Sequence, residues 1–189
     1  SGKAFHFELD AFAGHRLHFD GYLCDKALHA GAEIQMDEAL TRIQHQSKLD
    51  RDVLVTSKGR YTFDYLIDAS GSLAHVGRLR HGDDERYRPK DQVPTMYAQV
   101  QGNVPETFDV FLGSVAPSGY AWIIPKGPNT ANVGLGVRAG YLKGNLKEHL
   151  QDFCDELGFE VLSWGGGWIP MGGPVKTMVD GTTLAVGDA

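Results

Sequence analysis

The sequence predicts an α+β fold with two domains, one of them an antiparallel sheet covered by a helix. Four strand-like segments follow one another at hairpin-length gaps in the second half of the chain, which favours antiparallel pairing. A helix-like segment comes directly after them. The polar stretch at residues 83–91 separates these elements from a different set in the first half and indicates a domain crossing.

The first half carries one helix between strand-like segments. Residues 4–9 alternate apolar and polar side chains, which predicts a strand. Within residues 19–30, apolar side chains recur at every third or fourth position, as on one face of a helix, and Gly31 is placed to end it. Lys58-Gly59 is a tight-turn signal. Three more strands are predicted at residues 38–44, 53–57 and 61–68.

The four strands of the second half are predicted at residues 95–101, 108–114, 120–125 and 131–138. The helix after them has Asn145 as its cap and Gly158 at its end. Its apolar stripe consists of Leu146, Leu150, Phe153 and Leu157. We expect this stripe to cover one face of the sheet and to leave the opposite face free to wall a cavity. The glycine-rich residues 165–174 lead back to the first domain, and their glycines predict either close approach of a ligand or a flexible crossover.

Composition limits the function classes. The chain has 189 residues, of which 42% are hydrophobic and 22% charged, so it can bury a core and is neither disordered nor fibrous. A net charge of -6 argues against a nucleic-acid partner. There is no apolar run long enough to span a bilayer and no signal-peptide pattern, so we expect a cytoplasmic protein with at most peripheral membrane contact.

Cysteine and histidine usage predicts neither a redox pair nor a metal centre. Cys24 and Cys154 are far apart in sequence, and we expect both to be buried apolar residues. The eight histidines show no His-Glu-x-x-His spacing and no paired Cys/His cluster, so no metal site is predicted. Ser70 lacks the Gly-x-Ser-x-Gly context of a hydrolase nucleophile.

Residues 120–126, Tyr-Ala-Trp-Ile-Ile-Pro-Lys, form the first half of the most informative motif. As a strand, they place Tyr120, Trp122 and Ile124 on one face. Pro125 is expected to end the strand because it offers no N–H, and Lys126 follows with its charge. This segment therefore predicts an aromatic wall beside a cation.

The second half of the motif is Gly134-Leu-Gly136 on the next strand. Two glycines on one face leave that face without side chains, so a bulky group can approach the backbone. An ordinary hairpin with bulge glycines would explain either half alone. Together the two halves predict a substrate-binding site made of Tyr120, Trp122, Pro125, Lys126, Gly134 and Gly136.

This motif resembles the signature of the flavin-dependent geranylgeranyl reductases, which belong to the superfamily of p-hydroxybenzoate-hydroxylase-like flavoproteins. Residues 16–20, Arg-Leu-His-Phe-Asp, are similar to the family's Arg-x-x-Phe-Asp helix, and Gly31-Ala-Glu33 is similar to the Gly-Ala-Glu strand after it. Residues 66–71, Leu-Ile-Asp-Ala-Ser-Gly, look like a strand and turn that usually reads Ala-Asp-Gly. Here Ser70 replaces the aspartate of that turn.

The carboxyl end of the chain adds another resemblance. Gly187-Asp188-Ala189 resembles the family's strand end whose aspartate holds the ribityl hydroxyls of FAD. The resemblance thus implies FAD as the cofactor. The residues it implies near FAD are Arg16, Ser70, Gly71, Gly187 and Asp188.

The resemblance also implies a domain organisation. No Gly-x-Gly-x-x-Gly follows an apolar strand, so we expect an internal fragment without the loop that places the FAD pyrophosphate on a helix N-terminus. Residues 1–88 would form part of an α/β FAD-binding domain, and residues 89–178 the antiparallel substrate-binding domain. Residues 179–189 would be a strand that returns to the FAD-binding domain.

The implied activity is reduction of isolated carbon–carbon double bonds in geranylgeranyl chains. The prenyl substrate would be a diether lipid of archaeal type, or the tail of a chlorophyll or quinone. A flavin would carry the electrons from an external donor, because protein side chains supply no hydride. The catalytic residues are not identified. A flavin monooxygenase or halogenase of the same architecture and a non-catalytic prenyl- or lipid-binding module are the alternatives.

We predict that these 189 residues alone neither hold FAD at useful affinity nor catalyse reduction, because the implied FAD contacts are split and the pyrophosphate loop lies elsewhere. Unpaired strand edges should also favour self-association of the fragment. The measurement is visible absorbance after gel filtration of the chain with excess FAD. A yellow, stoichiometric complex would contradict the prediction.

Overall fold

The computed structural model describes residues 4–8, 10, 12–47, 50–82, 91–138, 140–141 and 144–189. Within these ranges the chain forms two three-stranded sheets, one five-stranded sheet and three α-helices. Antiparallel pairing predominates and the helices are few, which confirms the predicted α+β class. None of the helices in these ranges is long and apolar enough to cross a membrane.

The first helix, α1, spans Arg16–His29 and ends where the sequence predicts. Gly31 has a φ of 92° and donates its N–H to the Leu28 carbonyl at 3.0 Å, while Ala32 donates to Ala27 at 3.0 Å. This is the hydrogen-bond pattern of a helix closed by a left-handed glycine. None of the side chains of α1 is fully buried, and most of its apolar residues are exposed.

The strand predicted at the beginning of the chain is wrong for residues 4–8, which form no regular structure. Phe5 and Phe7 are both exposed, and no described strand lies beside them. Alternating side chains make a strand only where a neighbour supplies hydrogen bonds. Leu9, the last residue of the predicted strand, lies outside the described residues.

The first sheet is an antiparallel meander of three strands. It consists of β1 (Leu40–Gln46), β2 (Arg51–Thr56) and β3 (Arg60–Thr62). The predicted turn at Lys58-Gly59 joins β2 to β3, and the Thr56 N–H donates to the Gly59 carbonyl at 2.9 Å. The predicted strand at 61–68 is therefore wrong as one element, because β3 belongs to this sheet and the residues after it belong to another.

The second sheet contains a parallel pair. β4 (Leu66–Asp68) lies beside β11 (Thr183–Ala185), which in turn pairs antiparallel with β10 (Val179–Asp180). The carboxyl ends of β4 and β11 therefore meet at one edge of the sheet. This pairing supports the proposed return of residues 179–189 to the first domain. The predicted linker lies almost wholly in residues 83–90, outside the described residues.

A short helix that the sequence reading missed, α2 (His75–His81), follows β4 and is held by Asp68. The Asp68 carboxylate is only 4% exposed. Its oxygens accept from the backbone N–H groups of Ser70 at 3.0 Å, Val76 at 3.1 Å and Gly77 at 3.4 Å. The carboxylate thus satisfies donors at the beginning of α2 that have no partner within the helix.

Arg80 of α2 joins the first two sheets. Its guanidinium lies 2.9 Å from the Asp52 carboxylate of β2 and 3.5 Å from that of Asp180 of β10. Because the Arg80 side chain is largely buried, this ion pair is less screened by solvent than an exposed one. The interaction sets the position of α2 between the two sheets.

The five-stranded sheet is the main body of the second half. Its strands are β5 (Gln92–Gln101), β6 (Asp109–Phe111), β7 (Tyr120–Gly127), β8 (Thr130–Gly136) and β9 (Glu160–Pro170). They lie in the order β6-β7-β8-β5-β9, and every pair is antiparallel.

Two expectations about this sheet are wrong. Pro125 does not end its strand, because β7 continues to Gly127 with a bulge after the proline. β6 pairs only with residues 121–123 of β7, so it does not extend as far as Pro125. The missing N–H of Pro125 therefore costs no hydrogen bond to β6, and proline is tolerated at this position. Residues 165–170 are not a flexible crossover but part of β9.

The helix α3 (Leu146–Glu156) covers one face of the five-stranded sheet, as predicted. The Asn145 side chain accepts from the Lys147 N–H at 2.9 Å, so the predicted cap is confirmed. The core between helix and sheet contains Ala98, Val100, Ala121, Ile123, Ala131, Val133, Leu135, Leu150, Phe153 and Cys154. Burial raises the pKa of the Cys154 thiol to about 11. Cys24 is only partly buried, so the expectation that both cysteines are core residues is wrong for it.

We predict that Asp68→Ala lowers the free energy of unfolding by about 3 kcal/mol, since it leaves backbone N–H groups of Ser70 and α2 without an acceptor. The measurement is urea denaturation of the isolated chain. Asp64→Ala is the matched control, because that exposed carboxylate should change stability by no more than about 0.5 kcal/mol. Equal losses in both variants would contradict the role of Asp68.

Candidate functional site

The face of the five-stranded sheet opposite α3 carries the aromatic residues of the predicted motif. Ala121 and Ile123 point into the core, where they are 0% and 3% exposed. Tyr120, Trp122 and Ile124 therefore lie on the other side, as the alternation predicts. We call this side the open face.

Trp122 is held in place on the open face by a side chain of the neighbouring strand. Its indole N–H donates to the Asn132 side-chain oxygen at 2.7 Å. The Tyr120 ring lies 5.7 Å from the Trp122 ring between centroids, at an interplanar angle of 49°. The two rings form the predicted aromatic wall, and Asn132, which the sequence reading missed, fixes its orientation.

The space above Gly134 is filled by Trp122 itself. An ideal Cβ at Gly134 would lie 2.3 Å from indole Cζ2 and 2.9 Å from the Met96 carbonyl oxygen. The expectation of a bare backbone is therefore wrong at this position: the bulky group that the glycine admits is a ring of the same chain. At Gly136 a Cβ would meet Thr95 Cγ2 at 3.0 Å.

Lys126 lies at the end of the wall and reaches the segment before α1. Its Nζ donates to the Gly14 carbonyl at 2.8 Å. Burial lowers the pKa of Lys126, because partial loss of solvent disfavours the charged ammonium. An ammonium carries three N–H donors, so this bond leaves others for a second acceptor.

Arg16 lies two residues after Gly14, whose carbonyl Lys126 contacts. The hydrogen bond and charge of Asp20 raise the pKa of Arg16. Arg16 pairs with the Asp20 carboxylate at 3.0 Å on the surface of α1. The contact with Gly14 thus brings Lys126 close to the beginning of α1, although the sequence reading assigned Arg16 to the cofactor and Lys126 to the substrate.

Ser70 and Gly71 follow the carboxyl end of β4. The Ser70 hydroxyl oxygen accepts the His75 N–H at 2.7 Å and so helps to hold the beginning of α2. Gly71 opens a 3-10 turn with a φ of 71°. Ser70 thus has a structural contact in addition to the cofactor contact predicted for it.

Gly187 and Asp188 follow the carboxyl end of the adjacent parallel strand, β11. The Val186 N–H donates to the Asp68 carbonyl at 2.9 Å, so the two strand ends stay side by side. Gly187 and Asp188 line a cleft of about 410 Å³ together with Gly173, Pro174 and neighbouring residues. The predicted cofactor residues that follow β4 and β11 therefore lie at the same edge of the second sheet. They belong to other segments of the chain than the residues of the open face.

We predict that Gly134→Ala lowers the free energy of unfolding by about 2 kcal/mol and shifts the Trp122 fluorescence emission, because the methyl group displaces the indole. Gly167→Ala is the control, since its Cβ would meet no atom within 4 Å. Urea denaturation and emission spectra measure both effects. Equal stability losses with unchanged emission would contradict the packing of Trp122 on Gly134.

Comparison with known proteins finds similarity to one group of enzymes. Residues 93–166 match the family described as geranylgeranyl reductase catalytic domain. The chain is 35% identical over 183 residues to digeranylgeranylglycerophospholipid reductase 2 of Methanothermobacter thermautotrophicus, covering 92% of this chain and 47% of that protein. It is 30% identical over 183 residues to the corresponding reductase of Methanosarcina acetivorans, covering 90% and 44%.

Solved structures with the same fold include flavoenzymes. A geranylgeranyl bacteriochlorophyll reductase-like protein of Thermoplasma acidophilum matches with a TM-score of 0.79 at 22% identity, over 90% of this chain and 46% of the other. The flavin-dependent brominase Bmp2 matches with a TM-score of 0.69 at 17% identity, over 93% and 48%. The chain spans about half the length of the curated relatives it matches. The matched segment and these relatives make the chain similar to geranylgeranyl reductases over about half of their length.

Proposed function

We propose that this chain supplies the prenyl-binding part of a flavin-dependent reductase that saturates carbon–carbon double bonds in the geranylgeranyl chains of glycerophospholipids. The observation that carries the proposal is the open face, where Tyr120 and Trp122 form an apolar wall that ends beside Lys126. The names of the curated relatives support the lipid class.

Apolar contact would dominate the affinity for such a substrate. A twenty-carbon chain buried at roughly 0.8 kcal/mol per methylene-sized group gains well over 10 kcal/mol before costs. A charged hydrogen bond from Lys126 to a phosphate contributes only about 1.5–3 kcal/mol. The wall therefore provides most of the binding, and Lys126 sets which end of the lipid lies at the strand end.

The partial burial of Lys126 fits an anionic partner. Partial loss of solvent disfavours the ammonium charge and lowers the pKa of Lys126. A phosphate close to Lys126 would stabilise the charged ammonium again. One N–H already reaches the Gly14 carbonyl at 2.8 Å. The remaining donors can bind a head-group phosphate without breaking that bond.

The residues at the joined ends of β4 and β11 fit the ribityl part of FAD. Gly187 has a φ of 69°, and an added Cβ would meet no atom within 4 Å, so a ligand can approach its backbone closely. The exposed Asp188 carboxylate can accept hydrogen bonds from hydroxyl groups. Ser70, whose oxygen accepts from His75, still has its own proton to donate. When bound, the flavin would supply the hydride that no side chain can supply.

The protein's own task is then to hold the alkene in a fixed place. The bond from Trp122 to Asn132 and the packing of the indole on Gly134 fix one wall before any ligand arrives. A preorganised wall orients a flexible chain at lower entropic cost than a mobile one. A flavin halogenase shares the fold, but the family match and the reductase relatives favour reduction.

The proposal is tested in a protein of the relatives' full length. Replacing the matched 183 residues of the Methanothermobacter reductase with this chain gives a graft that can be loaded with FAD. With chemically reduced flavin, the graft should saturate digeranylgeranylglycerophospholipid. A folded, flavin-loaded graft that binds the lipid without reducing it would favour the non-catalytic module instead.

In this graft we predict that Trp122→Ala lowers kcat with prenyl lipid about tenfold, a change of roughly 1.4 kcal/mol in the barrier. Lys126→Ala should instead raise KM for phosphorylated lipid and leave KM for an unphosphorylated prenyl alcohol unchanged. The matched controls are Tyr65→Ala, an exposed ring outside the open face, and Lys26→Ala, an exposed lysine of α1. Unchanged kinetics in both test variants would contradict the site assignment.

A further inference from the structure

One row of residues crosses the open face from edge to edge. The strand registers place Trp122 opposite Gly134, Gly134 opposite Tyr97, and Tyr97 opposite Gly165. Large and small residues therefore alternate along the row, with a ring on β7 and another on β5. Tyr97 and Gly165 both lie within the residues that match the catalytic-domain family.

Each aromatic ring of this row packs against the glycine of the neighbouring strand. A Cβ at Gly165 would lie 2.2 Å from Tyr97 Cζ and 2.4 Å from its hydroxyl oxygen, much as a Cβ at Gly134 would overlap Trp122. Neither glycine has a positive φ. The backbone dihedrals would therefore accept alanine at both positions. At Gly165 the nearest atoms to an added Cβ all belong to the Tyr97 ring, whereas at Gly134 the Met96 carbonyl oxygen is also close, at 2.9 Å.

The two rings lie two strand spacings apart, which is about 10 Å. The Trp122 ring lies over Gly134 of β8 and the Tyr97 ring over Gly165 of β9, so both side chains extend towards the β9 edge of the sheet. The two rings therefore lie against the sheet and form a continuous apolar surface, which we call the floor. A short apolar ligand can contact only one ring. A ligand that contacts both must extend across the strands, and each additional buried methylene-sized group then adds to its affinity.

Tyr97 also marks where the floor becomes polar. Its side chain is 38% exposed, and its hydroxyl oxygen lies over Gly165 of the edge strand β9. The apolar floor thus extends from Trp122 to the Tyr97 ring and ends at a hydroxyl group. Such a boundary limits how far an apolar chain can extend in that direction.

We propose that Tyr97, seated on Gly165, is a second positioning residue of the site and makes it selective for long prenyl chains over short ones. This inference rests on the proposed function, since it assigns the chain-length preference of the same open face. Tyr97 acts by contact with the distal part of the chain and takes no part in proton or electron transfer.

The experiment is equilibrium binding of radiolabelled geranylgeraniol and geraniol to the 189-residue chain, below their micelle concentrations. Gly165→Ala should lift the Tyr97 ring and weaken binding of the twenty-carbon alcohol about fivefold, with less than about a twofold change for the ten-carbon alcohol. Gly167→Ala is the matched control on the same strand, because its Cβ would meet no atom within 4 Å. That variant should bind both alcohols as the unaltered chain does.

Three further variants separate positioning from general damage. Tyr97→Ala should lose the same chain-length preference, and adding Gly165→Ala to it should change nothing more, because no ring remains to be displaced. Tyr97→Phe should retain the preference. If Gly165→Ala does not fold, Tyr97→Ala alone decides the matter.

Equal effects of Gly165→Ala and Gly167→Ala, or an unchanged preference in Tyr97→Ala, would overturn the inference and leave the proposed function intact. An unaltered chain that binds neither alcohol, together with a folded graft that does not reduce prenyl lipid, would instead refute the proposed function. The two failures are therefore distinguishable.

Discussion

The structure depends on the pairing of β5 with its two neighbours, β8 and β9. In this register Tyr97 stands opposite Gly134 on one side and Gly165 on the other. A slip of one residue would turn Tyr97 into the core and bring Ala98, which is fully buried, to the open face. The composition of both faces follows from this register: small and aliphatic residues line the α3 side together with Phe111 and Trp164, and Tyr97, Tyr120 and Trp122 lie on the other.

Elements that depend on neighbouring residues were predictable from the sequence. The cap at Asn145 and the glycine closing α1 act within one helical turn, so their signals are local. The alternation of β7 likewise sorts Ala121 from Trp122 without knowledge of any partner strand. Residues 4–8 show the limit of such a signal, because their alternation has no described strand to pair with.

What could not be predicted depends on contacts between distant parts of the chain. Glycine has little preference for strands, so residues 165–167 look mobile until the Tyr97 ring is placed above Gly165. For the same reason, the sequence did not show that the Trp122 ring fills the space at Gly134. For the candidate site, the sequence pointed to Trp122 and Lys126 but not to Asn132, which bonds to Trp122, or to Tyr97, which lies over Gly165, because both contacts depend on cross-strand register.

The unequal burial of the two cysteines has a practical chemical consequence. Cys154 is fully buried on the core side of α3 with its pKa raised to about 11, so its thiol stays protonated and out of reach of alkylating reagents near neutral pH. Cys24 on α1 is only partly buried. A maleimide fluorophore should therefore attach at a single position. That label would report the surroundings of α1, and modification of Cys154 would signal opening of the core.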